Sequence, residues 1–252
     1  MSQSPPTPND DRSDGSGFVL PDAAKLEALA EFAAGAGHEI NNPLATIIGR
    51  AQLLLKDERD PQRRQMLLAI GAQAYRVRDM IGDAMLFGRP PAPELQQVDL
   101  ACAVSVVLSR QADELANDQC TVNVEISEGL TLKADSTQLA IVLSELLRNS
   151  RQALQSVGGG EILVRANSRD ELAVFEIEDR GRSFSEIERQ HAFDPFYSGR
   201  QAGRGLGFGL SKCWRIIQQH GGRIEIESAA TGPTVVRVTW PLGSASEVSS
   251  RS

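Results

Sequence analysis

From Leu26 to Leu54, apolar residues recur at alternating steps of three and four: Leu26, Leu29, Ala33, Ala36, Ile40, Leu44, Ile47, Ala51 and Leu54, with one irregular step beside Pro43. That rhythm is a helical seam that needs another helix to cover it. A second seam, at Leu67, Ile70, Ala74, Val77, Ile81 and Ala84, follows the polar turn KDERDP from Lys56 to Pro61. Together they predict an antiparallel helical hairpin. Two helices alone leave apolar surface in water, and the simplest completion is a second copy, so a homodimeric four-helix bundle is expected.

One stretch of the first helix carries chemistry instead of packing. In HEINNPL (His38 to Leu44), His38 falls two residues from both Ala36 and Ile40. At about 100° per residue the imidazole lies roughly 200° from the seam, with Asn42 one turn along the same side. A core histidine would not occupy that position.

The run RPPAP (Arg89 to Pro93) stops the second helix, because each proline lacks a donor and restricts its predecessor. The pattern therefore predicts a helical domain over 22–89, a linker over 90–97 and a second domain over 98–242. Disordered segments are expected at 1–21 and 243–252. The leader is rich in Ser, Pro and Asp and lacks the basic start and apolar middle of a signal peptide. With only about 20 residues ahead of the hairpin, no sensory domain is expected there unless the chain is a fragment of a longer sensor.

The second half mixes helix and strand: helices over 100–117 and 136–155, strands over 121–126, 130–133, 161–166 and 172–178, a loop-rich region to Gly205, a helix to His220, and strands over 223–228 and 234–240. The fold class is a helical hairpin followed by an α/β domain, with helices covering one face of the sheet.

Composition narrows the partners. A net charge of −7 argues against nonspecific nucleic-acid binding, which draws on clustered Lys and Arg. The longest apolar stretch, Leu44 to Leu55, is broken by Arg50 and Gln52, so no membrane span is expected and the chain is expected in the cytoplasm. Cys102, Cys120 and Cys213 are widely spaced and read as buried structural thiols.

Four pieces of the second half suit a nucleotide. In ELLRNSRQAL, Glu145 and Asn149 lie four apart on one helix face, where side-chain oxygens can hold Mg²⁺ directly or through water. The same spacing also suits a salt-bridged surface. DRG (Asp179 to Gly181) comes directly off the strand AVFEIE; Asp179 can accept from the exocyclic amine of adenine, although a DxG sequence is also an ordinary turn. FDPFYSGR (Phe193 to Arg200) places aromatic residues in a polar loop, where they read as packing more than base stacking. GRGLGFGLS (Gly203 to Ser211) exposes backbone amides ahead of a helix, an arrangement suited to phosphate. No strand precedes it, as a dinucleotide fingerprint requires, and the Walker pattern is absent. His191 reads as a surface residue, and His220 as a helix C-terminal capping group.

In this order HEINNPL, NSRQA with Glu145 ahead of it, DRG, FDPFY and GRGLGFGLS resemble the H, N, G1, F and G2 boxes of bacterial sensor histidine kinases. The HEIxNPL form is similar to the nitrogen-regulation type. The resemblance implies a dimerisation and histidine phosphotransfer domain followed by an ATP-binding α/β sandwich of the gyrase and Hsp90 type. It implies His38 as phosphoacceptor, Glu39 as adjacent base, Asn42 at the phosphatase position, Asn149 as Mg²⁺ ligand with Glu145, and Asp179 and Gly181 at adenine. Gly203, Arg204, Gly205, Leu206, Gly207 and Gly209 would form the lid hinge, with ATP as substrate and a response regulator as partner.

An ordinary imidazole, with a pKa near about 6.5, is mostly neutral at cytosolic pH and able to attack the γ-phosphorus. Three positions depart from the family pattern: Ser183 stands at the second G1 glycine, Arg200 replaces a lysine after the F box, and Gln152 replaces the lysine that follows the N-box asparagine. Arg148, Arg151 or Arg204 would then supply phosphate charge. Two other classes are a degenerate, ATP-binding dimeric scaffold or phosphatase-dominant regulator, and a serine kinase or clamp-type ATPase on the same sandwich. The retained His38, Asn149, Asp179 and glycines disfavour the first, and the hairpin disfavours the second.

Overall fold

The computed structural model describes residues 23–197, 207–229 and 232–242. In the first helix, side chains are described at Glu31, Gly35 and Gly37 and from Glu39 onward. The expected leader before Ala23 and the expected tail from Gly243 lie outside the described residues.

Helices α1 (Ala23–Asp57) and α2 (Pro61–Gly88) form the hairpin. Asp60 caps α2, its carboxylate accepting from the amides of Gln62 (2.8 Å) and Arg63 (3.1 Å), and Pro61 occupies a first-turn position where no amide is needed. The contact between the helices is narrower than the two seams predict. Leu44, Ile48 and Ala74 are buried together, with Ile40 and Tyr75 at the margin, whereas the seam residues Ile47, Leu54, Ile70 and Val77 stay exposed. The apolar stripe is wider than one helix–helix contact uses.

Beyond the hairpin, β1 (Gln96–Asp99) pairs antiparallel with β3 (Thr131–Ala134) in a two-stranded sheet. The stretch read as linker to residue 97 therefore already contains two strand residues. Between them come α3 (Leu100–Asn117), capped by Asp99, and β2 (Cys120–Ile126). The main sheet has the order β2-β4-β5-β7-β6, with β4 (Gly160–Arg169), β5 (Leu172–Asp179), β6 (Arg223–Ser228) and β7 (Thr234–Pro241). Only the β2–β4 pair is parallel.

Strict alternation sends Ala173, Phe175 and Ile177 of β5 and Val236, Val238 and Trp240 of β7 inward. They meet α4 (Ser136–Gln155) and α6 (Gly209–Gln219) in one core. Phe87 and Ala84 of α2 are buried in that same core, so the last turn of the hairpin is seated on the α/β domain. The prolines after α2 are held there as well: Gln138 Nε2 donates to the Pro91 carbonyl (3.0 Å) and Gln219 Nε2 to that of Pro90 (3.4 Å). A short helix, α5 (Glu186–Gln190), interrupts the expected loop. Cys120 and Cys213 are buried, but Cys102 is exposed, on the outer face of α3, contrary to its expected burial.

Candidate nucleotide site

The alternation that fills the core also places the site's acid. Asp179 is the next inward residue after Ile177, so the last side chain of β5 is a carboxylate on the core face, only 3% exposed. Burial pushes its carboxyl above the usual carboxylate range, against the opposing effect of a hydrogen bond from the Gly181 amide (2.9 Å) and another with Ser150. Its neighbour across the register is Thr234, also buried, whose hydroxyl lies 2.9 Å from that of Ser228.

Gly181 is required by proximity. A Cβ there would fall into the backbone of Ala153 and Leu154 on α4, and the next amide, of Arg182, donates to the Ala153 carbonyl (3.2 Å). The DRG turn is thus pressed against the helix that carries Asn149. Arg182 then forms a two-bond pair with the buried Glu188 (2.8 and 3.1 Å), which also closes a capping box with Ser185 at the head of α5.

Asp179, Asn149, Arg148, Gly207 and Gly209 line one cleft of about 680 Å³, and Ala72, Tyr75 and Met80 of α2 form its opposite wall. Gly207 has a left-handed φ of +73°, and a Cβ there would overlap the backbone of Tyr197, which brings the end of the aromatic loop against the start of α6. Phe208 has no side-chain cap to offer α6, so the helix's first amides face the cleft unclaimed by a cap. Phe208 is itself buried between Phe87 (centroids 6.0 Å apart) and Phe196 (4.7 Å, edge-on).

The Nδ2 of Asn149 is buried without a hydrogen-bond partner. An orphaned amide at the head of such a cleft fits a phosphate oxygen or, with its oxygen turned inward, a hard cation. Glu145 departs from the expectation of a free metal ligand. One of its oxygens pairs with Arg148 and the other with Lys212 (3.0 Å), so in this arrangement its charge is spent on two cations. Lys212 is 5% exposed and reaches Asp83 of α2 at 2.6 Å. Arg151, the other basic candidate on α4, turns away to Glu114 (2.7 Å) and Asp118.

Of the remaining expected site residues, Glu39 and Asn42 are exposed on α1. His38 lies in α1, one residue after Gly37, which is buried against Met85 of α2; its side chain lies outside the described residues. Gly203, Arg204, Gly205 and Leu206, together with Arg200, also lie outside them. His191 is half-exposed and pairs through Nδ1 with Asp194 (2.7 Å). The sequence reading missed Thr234, Lys212 and the Arg182–Glu188 pair. For Lys212 the signal was available: a lysine one turn before Ile216 on the face of a helix that also buries Cys213 and Ile217.

Comparison with known proteins finds two family matches along the chain. Residues 28–93 match the His Kinase A (phospho-acceptor) domain, and residues 134–244 match the histidine kinase-, DNA gyrase B- and HSP90-like ATPase family. The signal transduction histidine-protein kinase AtoS of Escherichia coli is 32% identical over 208 residues, covering 82% of this chain and 34% of AtoS. Sporulation kinase D of Bacillus subtilis is 27% identical over 223 residues, covering 88% of this chain and 43% of that kinase. The chain thus spans half or less of the length of these relatives. Among solved structures, full-length ShkA in complex with AMPPNP superposes with a TM-score of 0.74 over 84% of this chain and 45% of its own, at 21% identity, a likeness of fold.

Proposed function

Because the chain belongs to the bacterial sensor histidine kinases, we propose that it autophosphorylates on His38 from ATP and passes the phosphoryl group to an aspartate of a response regulator. The observation that carries this reading is the cleft: a buried carboxylate, an orphaned amide and the uncapped start of a helix share one cavity whose far wall is the phosphotransfer hairpin.

In this reading Asp179 accepts from the adenine amine, with Thr234 beside it, and the amides after Gly207 and the Arg148 guanidinium take the phosphates. Mg²⁺ bound through Asn149 would neutralise phosphate charge, which is most of what phosphoryl transfer asks of a protein. Glu145 shapes that end of the cleft through its cation partners. One ring nitrogen of His38 forms the new bond to the γ-phosphorus as the bond to the bridging oxygen breaks and ADP leaves. Glu39 takes or orients the proton of the other nitrogen. Asn42 lies about 6 Å along the helix from His38 and would position water to hydrolyse the partner's phosphoaspartate to aspartate and inorganic phosphate, the opposing phosphatase activity. The working form is a homodimer in the cytoplasm.

The test is incubation with γ-labelled ATP and Mg²⁺, comparing the parent with His38→Gln. Acid-labile label in the parent that is lost in the variant is expected. Bound ATP without label would overturn the kinase reading in favour of a scaffold or phosphatase.

A further inference from the structure

Four side chains of alternating charge run in an unbroken file from the hairpin to the nucleotide cleft. Asp83 of α2 accepts from Lys212 of α6 at 2.6 Å, Lys212 donates to one oxygen of Glu145 on α4 at 3.0 Å, and the other oxygen of Glu145 pairs with Arg148. The two central members are nearly out of solvent, whereas the outer two, Asp83 and Arg148, keep about a third or more of their side chains exposed. Each inner charge is therefore satisfied only by its neighbours in the file, because water cannot replace a lost partner there. Arg148 and Asp83 both line the cleft, Asp83 from the other domain.

The docked arrangement has a further property. The α2 residues facing the cleft, from Ala72 to Asp83, all precede Met85, the residue that meets Gly37 beside the phosphoacceptor. At about 1.5 Å per residue the cleft faces a stretch of α2 extending from a few Å to roughly 20 Å along the helix from that level. The docked cleft looks largely past the level of His38 on its own hairpin, and transfer within one chain asks the domain to move.

We propose that Lys212 is a positioning residue that latches the ATP-binding domain to its own hairpin through Asp83, and that nucleotide phosphates release it through Arg148 and Glu145. A phosphate group that draws Arg148 toward itself leaves Glu145 with Lys212 as its sole partner. The lysine is then held harder by Glu145, and its bond to Asp83, the more exposed of the two carboxylates, is the one weakened. Only the release step rests on the reading of the cleft as an ATP site. The latch itself rests on the ion pairs.

The experiment measures the hairpin-to-domain distance in the whole chain. Nitroxide labels are placed on the exposed Cys102 of α3 and on Arg63→Cys at the far end of the hairpin, with labelled chains diluted into unlabelled ones so that distances within one chain dominate. The parent without nucleotide is expected to give one narrow distance, and saturating AMPPNP with Mg²⁺ is expected to broaden or shift it. Asp83→Asn and Lys212→Met should lose the narrow distance without nucleotide, and Asp83→Glu should restore it. Asp83→Asn should also change the transfer rate more than the affinity for ATP. Parent-like distances in Asp83→Asn would overturn the latch even if Lys212→Met fails to fold. AMPPNP shown to bind by calorimetry yet leaving the parent distance unmoved would overturn the release step. AMPPNP that does not bind would instead overturn the reading of the cleft, and the nucleotide-free comparison would still decide the latch.

Discussion

At the scale of single residues, the site is built from groups that cost stability. Asp179 is buried and its carboxyl is pushed up by desolvation, so the folded chain holds a proton that the unfolded chain releases. Stability from that proton is present in acid and lost as pH rises through the raised folded value, which leaves a penalty at neutral pH. Asp179→Asn removes the penalty and can keep the bond from the Gly181 amide. Thermal unfolding should show the variant more stable than the parent at pH 7, by about 2–4 °C for each ~1 kcal/mol recovered, with the gain gone near pH 4. The same variant should lose nucleotide affinity by about tenfold or more, since a bond to a charged acceptor is lost. A parent-like unfolding midpoint at both pH values would contradict this. Gly181→Ala drives a methyl into the α4 backbone, which has no rotamer to escape with; a loss of about 3 kcal/mol in a denaturant titration is expected. Both residues were legible in the sequence, because a strand followed by DxG fixes an inward acid and a tight turn. Thr234 was not: nothing local marks it, and it becomes a site residue only through its register with Asp179.

At the scale of elements, the long helices were readable almost to the residue. Asp135 ahead of Ser136 is a strong cap signal, and α4 begins there. Strand β1 escaped because four residues, mostly exposed, have no period to read, and their partner β3 is distant in sequence. Helix α5 escaped through its brevity, although Ser185 and Glu188 spell out its capping box. His220 joins three such elements. As the C-cap of α6 it donates from Nδ1 to the Ile216 carbonyl (2.8 Å), accepts at Nε2 from the Asp135 amide (3.1 Å), and packs at a tilt against Trp240 of β7. That pattern requires the neutral ring, and burial lowers its pKa. The unfolded chain then binds a proton the folded one refuses, so this stability is present above about pH 6.5 and lost as pH falls toward the depressed folded value. His220→Gln should be less stable than the parent at pH 7.5, and the gap should narrow by pH 5. A gap that stays constant would show that the ring does not titrate with unfolding.

At the scale of the molecule, two large surfaces face solvent with opposite characters. The open face of the main sheet carries an alternating ladder across all five strands: Glu125, Arg165, Glu176, Arg237 and Glu225 stand in successive registers, and Arg237 bonds Glu176 at 2.7 Å. Such a face is satisfied in water and gives no drive to associate. The hairpin is the reverse. Half of the large apolar side chains exposed among the described residues lie on it: Ile47, Leu53, Leu54, Met66, Leu68, Ile70 and Val77. Ile47, Leu54, Ile70 and Val77 are seam residues left over after the hairpin closed, Leu53, Met66 and Leu68 widen the patch beyond the seams, and a second copy of the hairpin is the proposed cover. In a two-fold bundle each position is buried twice, so removing one leucine costs the dimer about 3–6 kcal/mol, or roughly a hundredfold to ten-thousandfold in dissociation constant. Leu54→Asp should therefore sediment as a monomer at micromolar concentration where the parent is a dimer. Binding of a fluorescent ATP analogue should persist, because Leu54 lies at the turn end of α1 and outside the cleft. A dimer that survives Leu54→Asp would move the interface off the hairpin and leave that apolar surface to another partner.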